Sequence, residues 1–316
     1  MKLQVLFRGV FFFLFIIATA CATTSKEVTL QSSPEGPALQ EEPMVRVFVS
    51  RRRRGGILKL PMETYLAGVI GSEMSSRWPK EALKAQAVAA RSYALYRMQE
   101  NRKEGRKFDL VATQADQVFR HGTSKNPYLQ EIVESTRGQV LMKDGKVVEA
   151  FYSSTCGGQL RSALMAGLSA SSPLTRCLTD SYCKVSPFRN WMVRTHVTEI
   201  EKKLKRKGIR VKDLQTVEVA DRDGAGYVSK VALIDSRGRR TTISGDRFRY
   251  AFGSMQVKST LFTLTHHSPT VDIAGRGFGH GVGMCQYGAK QMAQKKRGYR
   301  GILSKYYPGI SVQKIY

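Results

Sequence analysis

Hydrophobic and polar positions divide the chain into stretches of different period. Met44 to Ser50 alternates, with Val45, Val47 and Val49 on one side, which predicts a strand. Four arginines and Gly55-Gly56 interrupt the pattern, and Ile57 to Leu60 predicts a second strand ahead of Pro61, a residue suited to the first turn of a helix. From Met62 to Met74, Tyr65, Leu66, Val69 and Ile70 fall at helical spacing, and Glu73 shares their stripe. The longest helix is expected from Pro79 to about Lys103, where Leu83, Ala87, Ala90 and Ala94 recur on one face beside Val88, Leu95 and Met98. So many small residues favour close packing, and the helix carrying Glu73 is the candidate neighbour. A carboxyl between two helices loses hydration, which raises its pKa and keeps the proton a general acid must donate.

Residues 104–126 show no clear period. Asn126-Pro127 opens a short helix to about Thr136, which Gly138 can cap. Gln139 to Lys143, Asp144-Gly145 and Lys146 to Tyr152 read as a hairpin, since Asp-Gly suits a tight primed turn. Thr195 to Lys207 predicts a basic helix closed by Gly208, and Val211 to Arg240 contains strand-like segments broken by Asp223-Gly224 and Arg237-Gly238. No internal repeat of fixed period is visible. The expectation is an α+β fold with helices and antiparallel strands around a substrate groove. Residues 44–316 form the folded body, with 196–260 a candidate smaller β-rich subdomain.

The start of the chain supplies an address. Residues 1–20 place Lys2 and Arg8 ahead of an apolar run from Val10 to Ile17, with small residues just before Cys21, the anatomy of a signal peptide. The run ATAC resembles a lipoprotein processing box, with Ala18 where Leu is usual, and makes Cys21 the candidate lipidation site. Residues 21–43, rich in Thr, Ser, Glu and Pro, read as a flexible tether. The chain is therefore expected to be exported and held by a lipid anchor on the outer face of a membrane.

Charge then changes the list of partners. The 316 residues carry 51 Lys and Arg against 25 Asp and Glu, a formal charge of +26, and loss of residues 1–20 leaves +24. Outside the cytoplasm this argues against nucleic acid, and the basic runs Arg51 to Arg54 and Lys202 to Lys207 lack interleaved aromatics. An anionic envelope polymer or membrane face accounts for the surplus, and so does a solvated basic surface.

Three constellations could carry chemistry. Glu73 is the best-placed acid for a cleft wall; alternatively it bonds nearby backbone N–H groups or Arg91. Residues 275–293, GRGFGHGVGMCQYGAKQMA, form a glycine-rich loop leading into a helix near Met284 or Cys285. They lack the Lys-Ser or Lys-Thr of a nucleotide loop, so a carbohydrate or peptide groove with His280 fits better, unless His280 is a structural hydrogen-bonding residue. Cys156, Cys177, Cys183 and Cys285 remain besides Cys21. A Cys177–Cys183 disulfide and a metal held by Cys156, Cys177 and Cys183 with a histidine both stay open.

Taken together, GVIGSEM (68–74), WPKEALKAQAVAARSYAL (78–95), ADQVF (115–119), FYSSTCGG (151–158) and residues 275–293 resemble the stage II sporulation protein D and amidase enhancer family of cell-wall proteins. The resemblance spans most of residues 45–310 in family order. It implies a lytic transglycosylase that cuts peptidoglycan glycan strands lacking stem peptides, with Glu73 as catalytic acid and no cofactor in catalysis. Tyr152, Ser153 and Ser154 are then expected to bond sugar groups, His280, Gln286 and Tyr287 to line the far wall, and Arg91 to position Glu73. Trp78 stacks on a sugar or plugs the helix junction. Zinc-binding relatives favour a structural zinc at Cys156, Cys177 and Cys183. Relatives that enhance wall amidases imply the alternative of a non-catalytic activator, with the amidase as partner. Cys285 stands where relatives commonly have Ser.

Overall fold

The computed structural model describes residues 41–50, 55–170 and 172–316. The expected signal peptide, the candidate lipidation site Cys21, the expected tether as far as residue 40 and the Arg51 to Arg54 run lie outside the described residues.

Strand β1 (Met44–Val49) pairs antiparallel with β2 (Gly56–Pro61). Its alternation has the expected effect: Val45 and Val47 are fully buried. Pro61 closes β2 and caps α1 (Met62–Glu73), which starts at the expected Met62. The main core is built on α1 and α2 (Lys80–Lys103), where Ala82, Ala85, Ala87, Ala89, Ala90 and Ala94 are fully buried. Strand β3 (Leu110–Val111) adds to β1 in parallel. The face of α1 holding Gly68 meets the 115–125 segment so closely that a Cβ there would lie 2.4 Å from the Phe119 ring. That approach brings the backbone at Val118 to the end of α1.

Asn126 caps α3 (Pro127–Glu134), its side chain accepting from the N–H groups of Tyr128 and Leu129. Strands β4 (Gln139–Lys143) and β5 (Lys146–Val147) form the hairpin, turning at Asp144 and Gly145 with φ of 50° and 72°. The second strand ends at Val147, short of Tyr152. Tyr152–Ser153 instead forms β6, which pairs with a partner 132 residues downstream, a competition no local pattern reveals. Strands β7 (Gln159–Leu160) and β8 (Leu178–Thr179) pair antiparallel beyond it.

A second core draws on residues from Trp191 to Ile273. It comprises β9 (Trp191–His196), α4 (Val197–Arg206), β10 (Leu214–Arg222), β11 (Val228–Asp235), β12 (Arg240–Ser244), α5 (Gly245–Phe252), β13 (Phe262–His267) and β14 (Thr270–Gly275). Two antiparallel sheets, β10-β11-β12 and β13-β14-β9, sandwich its apolar residues with α4 and α5. Thr195 and His196 finish β9 rather than start a helix, because β9 pairs with β14, and the His196 ring accepts from the Thr198 N–H to cap α4. The chain then returns to the main core as β15 (Met284–Cys285), α6 (Gln286–Gln294), α7 (Tyr299–Tyr306) and β16 (Ser311–Lys314), which pairs with β4. The fold is α+β. Among the described residues no helix is long and apolar enough to cross a membrane.

Arg91 is the pin of the main core. Its fully buried guanidinium donates from Nε and Nη2 to Glu63 at 3.0 and 2.5 Å, and from Nη1 to the Gln139 carbonyl at 2.9 Å. Glu63 also accepts from the Tyr316 hydroxyl at 2.6 Å, tying α1, α2, β4 and the last residue together. Arg91→Met should leave the Glu63 carboxylate buried and unpaired, lowering stability by about 3–5 kcal/mol in denaturant titrations.

Candidate functional site

The end of α1, the middle of α2, the 115–119 segment and the start of α6 meet around one carboxyl. Glu73 is the last residue of α1 and half-buried. Its Oε1 accepts the Val118 N–H at 3.0 Å and its Oε2 the Gln286 amide at 3.4 Å. The same amide nitrogen reaches Gln86 Oε1 at 3.4 Å, which holds Gln286 between α2 and Glu73. Gln86 is fully buried and its Nε2 has no partner among the described residues. Burial raises the Glu73 pKa above its usual 4.5, and the two donors pull against that rise without cancelling it. The result is a carboxyl that keeps its proton more readily than a solvated one, with two donors in place to receive the charge once the proton leaves.

The structure gathers some expected residues and disperses others. Gln286 touches Glu73, and Tyr287 follows it on α6, packed edge-on to Trp78 with ring centroids 4.8 Å apart. Tyr152 lies behind the acid. Its hydroxyl accepts from Gln117 Nε2 at 2.9 Å, and burial first, then the Glu73 charge, pushes its phenol pKa well up. Ser153 is buried with Oγ unpartnered among the described residues, and Ser154 is half-buried beside Thr155.

Two expectations are corrected. Arg91 does not reach Glu73 or any surface, because Glu63, an acid in the first turn of α1, claims its guanidinium. His280 is a structural residue: its Nε2 donates to the Tyr152 carbonyl at 3.0 Å and its Nδ1 accepts the Val282 N–H at 3.1 Å. Burial, then the charges of Arg161 and Arg249, lowers its pKa to about 3, so the ring stays neutral and fastens the glycine loop to β6. In that loop Gly277, with φ of 81°, lies so close to the Thr155–Gly157 backbone that a Cβ would come within 2.6 Å of the Thr155 carbonyl oxygen.

Gln117, Gln86 and the Val118 N–H were not singled out by sequence reasoning. Gln117 and Val118 lie in the ADQVF run, which was noticed as a motif without a role. Gln86 falls among the alanines of α2, where its polarity on a packed face was the available signal.

A second cluster lies behind the site. Cys156, Asp180, Cys183 and Cys285 are buried, with ligand atoms all within 4.8 Å of one another. Cys177 is not among them; it stands half-buried with its Sγ 3.5 Å from Met165 Sδ. All four described cysteines are free thiols, so the Cys177–Cys183 disulfide is absent among the described residues. The expected ligand set is corrected accordingly: Cys285, brought in by the β6–β15 pairing, and Asp180 take the places given to Cys177 and a histidine. Cys285 Sγ accepts from the backbone N–H groups of Cys156 and Gly288, both at 3.4 Å, and caps α6. Hydrogen bonds from Cys156 and Cys285 pull the Cys183 pKa below its usual value. Three sulfurs and a carboxylate, buried and converging with one thiolate already favoured, suit a tetrahedral soft-metal site.

Fold and site define a two-core α+β protein with one partly desolvated carboxylic acid held between two hydrogen-bond donors. A family model described as stage II sporulation protein matches residues 51–142, and one for a domain of unknown function matches residues 112–283. A stage II sporulation protein D of Bacillus amyloliquefaciens is 32% identical over 292 residues, covering 88% of this chain and 81% of the relative. An uncharacterised protein of Brachyspira hyodysenteriae is 33% identical over 80% of this chain and 67% of its own length. An amidase enhancer of Bacillus subtilis is 30% identical over 78% of this chain and 40% of its own length. The chain belongs to the stage II sporulation protein D family.

Proposed function

We propose that the protein is a lytic transglycosylase acting outside the cytoplasm on peptidoglycan glycan strands that lack stem peptides. The observation that carries this reading is Glu73, a half-buried carboxyl with raised pKa held between two hydrogen-bond donors where four segments meet. Family membership supports a role at the cell wall, and the +24 charge expected after export suits an anionic wall polymer.

The chemistry asks little apparatus. Protonated Glu73 donates to the glycosidic oxygen between N-acetylmuramic acid and N-acetylglucosamine, and that C–O bond breaks through an oxocarbenium-like state. The resulting carboxylate, stabilised by the Val118 N–H and the Gln286 amide, takes the proton of the muramic C6 hydroxyl. The C6 oxygen closes on C1 to leave a 1,6-anhydro end, and Glu73 is again protonated. One carboxyl serves both steps, whereas hydrolysis needs a pair. Incubating the protein with peptide-stripped strands should release 1,6-anhydro products detectable by mass spectrometry; their absence overturns the reading. A relative named amidase enhancer supports a second reading, activation of a wall amidase. It wins if the protein releases no product yet accelerates an added amidase.

Gln286 lowers the Glu73 pKa by bonding its carboxylate. Gln286→Ala should therefore shift the alkaline limb of the pH–rate profile to higher pH, while misplacing the acid cuts the rate by about tenfold.

The same reading includes a structural zinc on Cys156, Asp180, Cys183 and Cys285. It would supply cross-linking rather than catalysis, tying the loop after β6 to the start of α6. Cys285 immediately precedes Gln286, so that link would fix the donor beside Glu73.

A further inference from the structure

Lys290 stands one helical turn after Gln286, on the same face of α6 that meets Glu73. Its ammonium lies 5.1 Å from the Trp78 ring centroid and 5.6 Å from that of Tyr287, and the residue is half-buried. Phe188 continues this aromatic floor, 6.1 Å from Tyr287. Lys80, Lys84, Lys103 and Lys202 each pair with a carboxylate, yet among the described residues no acid pairs with Lys290. A cation held on aromatic faces one helical turn from the residue that bonds the candidate acid, with no carboxylate paired to it among the described residues, is placed to meet an anion carried by the ligand.

The proposed substrate carries such an anion in one chemical state only. With a stem peptide attached, the lactyl carboxyl of N-acetylmuramic acid is a neutral amide. Once the peptide is removed it is a free carboxylate, on the same sugar whose C1–oxygen bond is cut. We infer that Lys290 recognises the lactyl carboxylate of peptide-stripped muramic acid and so makes the site selective for stripped strands. Trp78 and Tyr287 hold the ammonium in place and offer apolar faces to the adjoining sugar. The inference rests on the glycan reading above and explains its substrate preference by charge rather than by steric exclusion of a peptide.

The test separates recognition from cutting. Calorimetric titrations of Glu73→Gln protein would compare stripped strands with the same strands whose lactyl carboxylates have been coupled to methylamine. Methylamide strands carry no peptide bulk, so a difference reports charge. Carboxylate strands should bind about tenfold more tightly. Adding Lys290→Met, which keeps an unbranched apolar chain over the rings, should abolish that ratio, and Lys290→Arg should restore most of it. Equal affinity for the two strands, persistence of the ratio in Lys290→Met, or no binding of either strand overturns the inference. The ratio is taken within one protein, so a modest change in stability cancels. If the ratio behaves as expected while the wild-type protein never yields 1,6-anhydro product, carboxylate recognition stands and only the cutting reading falls.

Discussion

Glu73→Gln should yield no measurable 1,6-anhydro product from stripped strands, a loss of roughly 10²–10⁴-fold or more, while keeping the fold. The amide can neither donate nor recover the proton. Its oxygen can keep the Val118 N–H, and a concerted flip of the Gln286 and Gln86 amides can turn an oxygen toward the new NH₂ and engage the now unpartnered Gln86 Nε2. Stability should move the other way. Burial raises the Glu73 pKa, so the contribution of its protonated form is fully present below 4.5 and is lost as pH rises through the raised value. The neutral variant has no such loss, so its unfolding midpoint should equal or exceed that of the wild type above this window. Undiminished product from Glu73→Gln would refute the assignment. An inactive variant that also melts well below the wild type at pH 7 would make Glu73 a structural carboxylate.

The second large effect concerns the cluster behind the cleft. Protein purified without chelator should hold about one equivalent of zinc, and stripping it should cost at least about 4 kcal/mol, because three buried sulfurs and Asp180 lose their common partner. In scanning calorimetry that loss lowers the midpoint by roughly 8–16 °C. Cys183→Ser and Cys285→Ser should each lose most of the metal, and Cys177→Ser should keep it. The contrast between Cys285 and Cys177 discriminates, since a site using Cys177 in place of Cys285 reverses it, while Cys183 belongs to both sets. Metal-free protein whose midpoint ignores chelator would remove the zinc from the account.

Much of the framework was legible in local pattern. The alternation of Val45 and Val47, the N-cap at Asn126 and the Asp144-Gly145 turn report backbone preferences that act within a few residues, whereas α3 stops at Glu134 with Ser135 as its C-cap, short of the cap expected at Gly138. Glu73 was legible too, since an acid on an apolar helical stripe must be desolvated once the stripe packs. Arg91 was misread because its partner is Glu63, twenty-eight residues away, and helical spacing names a face without naming what meets it. The family resemblance favours Cys177 as a ligand, and nothing local to the sequence points to Cys285. Metal-ligand geometry answers to distance in space, which the pairing of β6 with β15 supplies. His280 looked chemical in a glycine loop, and only the positions of the Tyr152 carbonyl and the Val282 N–H show both ring nitrogens engaged.

The sequence by itself determined the family, the α+β class, the acid on α1 and the supply of thiols, because motifs, periodicity and residue chemistry are written along the chain. Tertiary structure alone decided which donors flank Glu73, which four ligand atoms converge and which lysine lies over the Trp78 and Tyr287 rings. Those outcomes depend on contacts between segments up to 213 residues apart, whose geometry is set by tertiary packing and not by any neighbour in the chain.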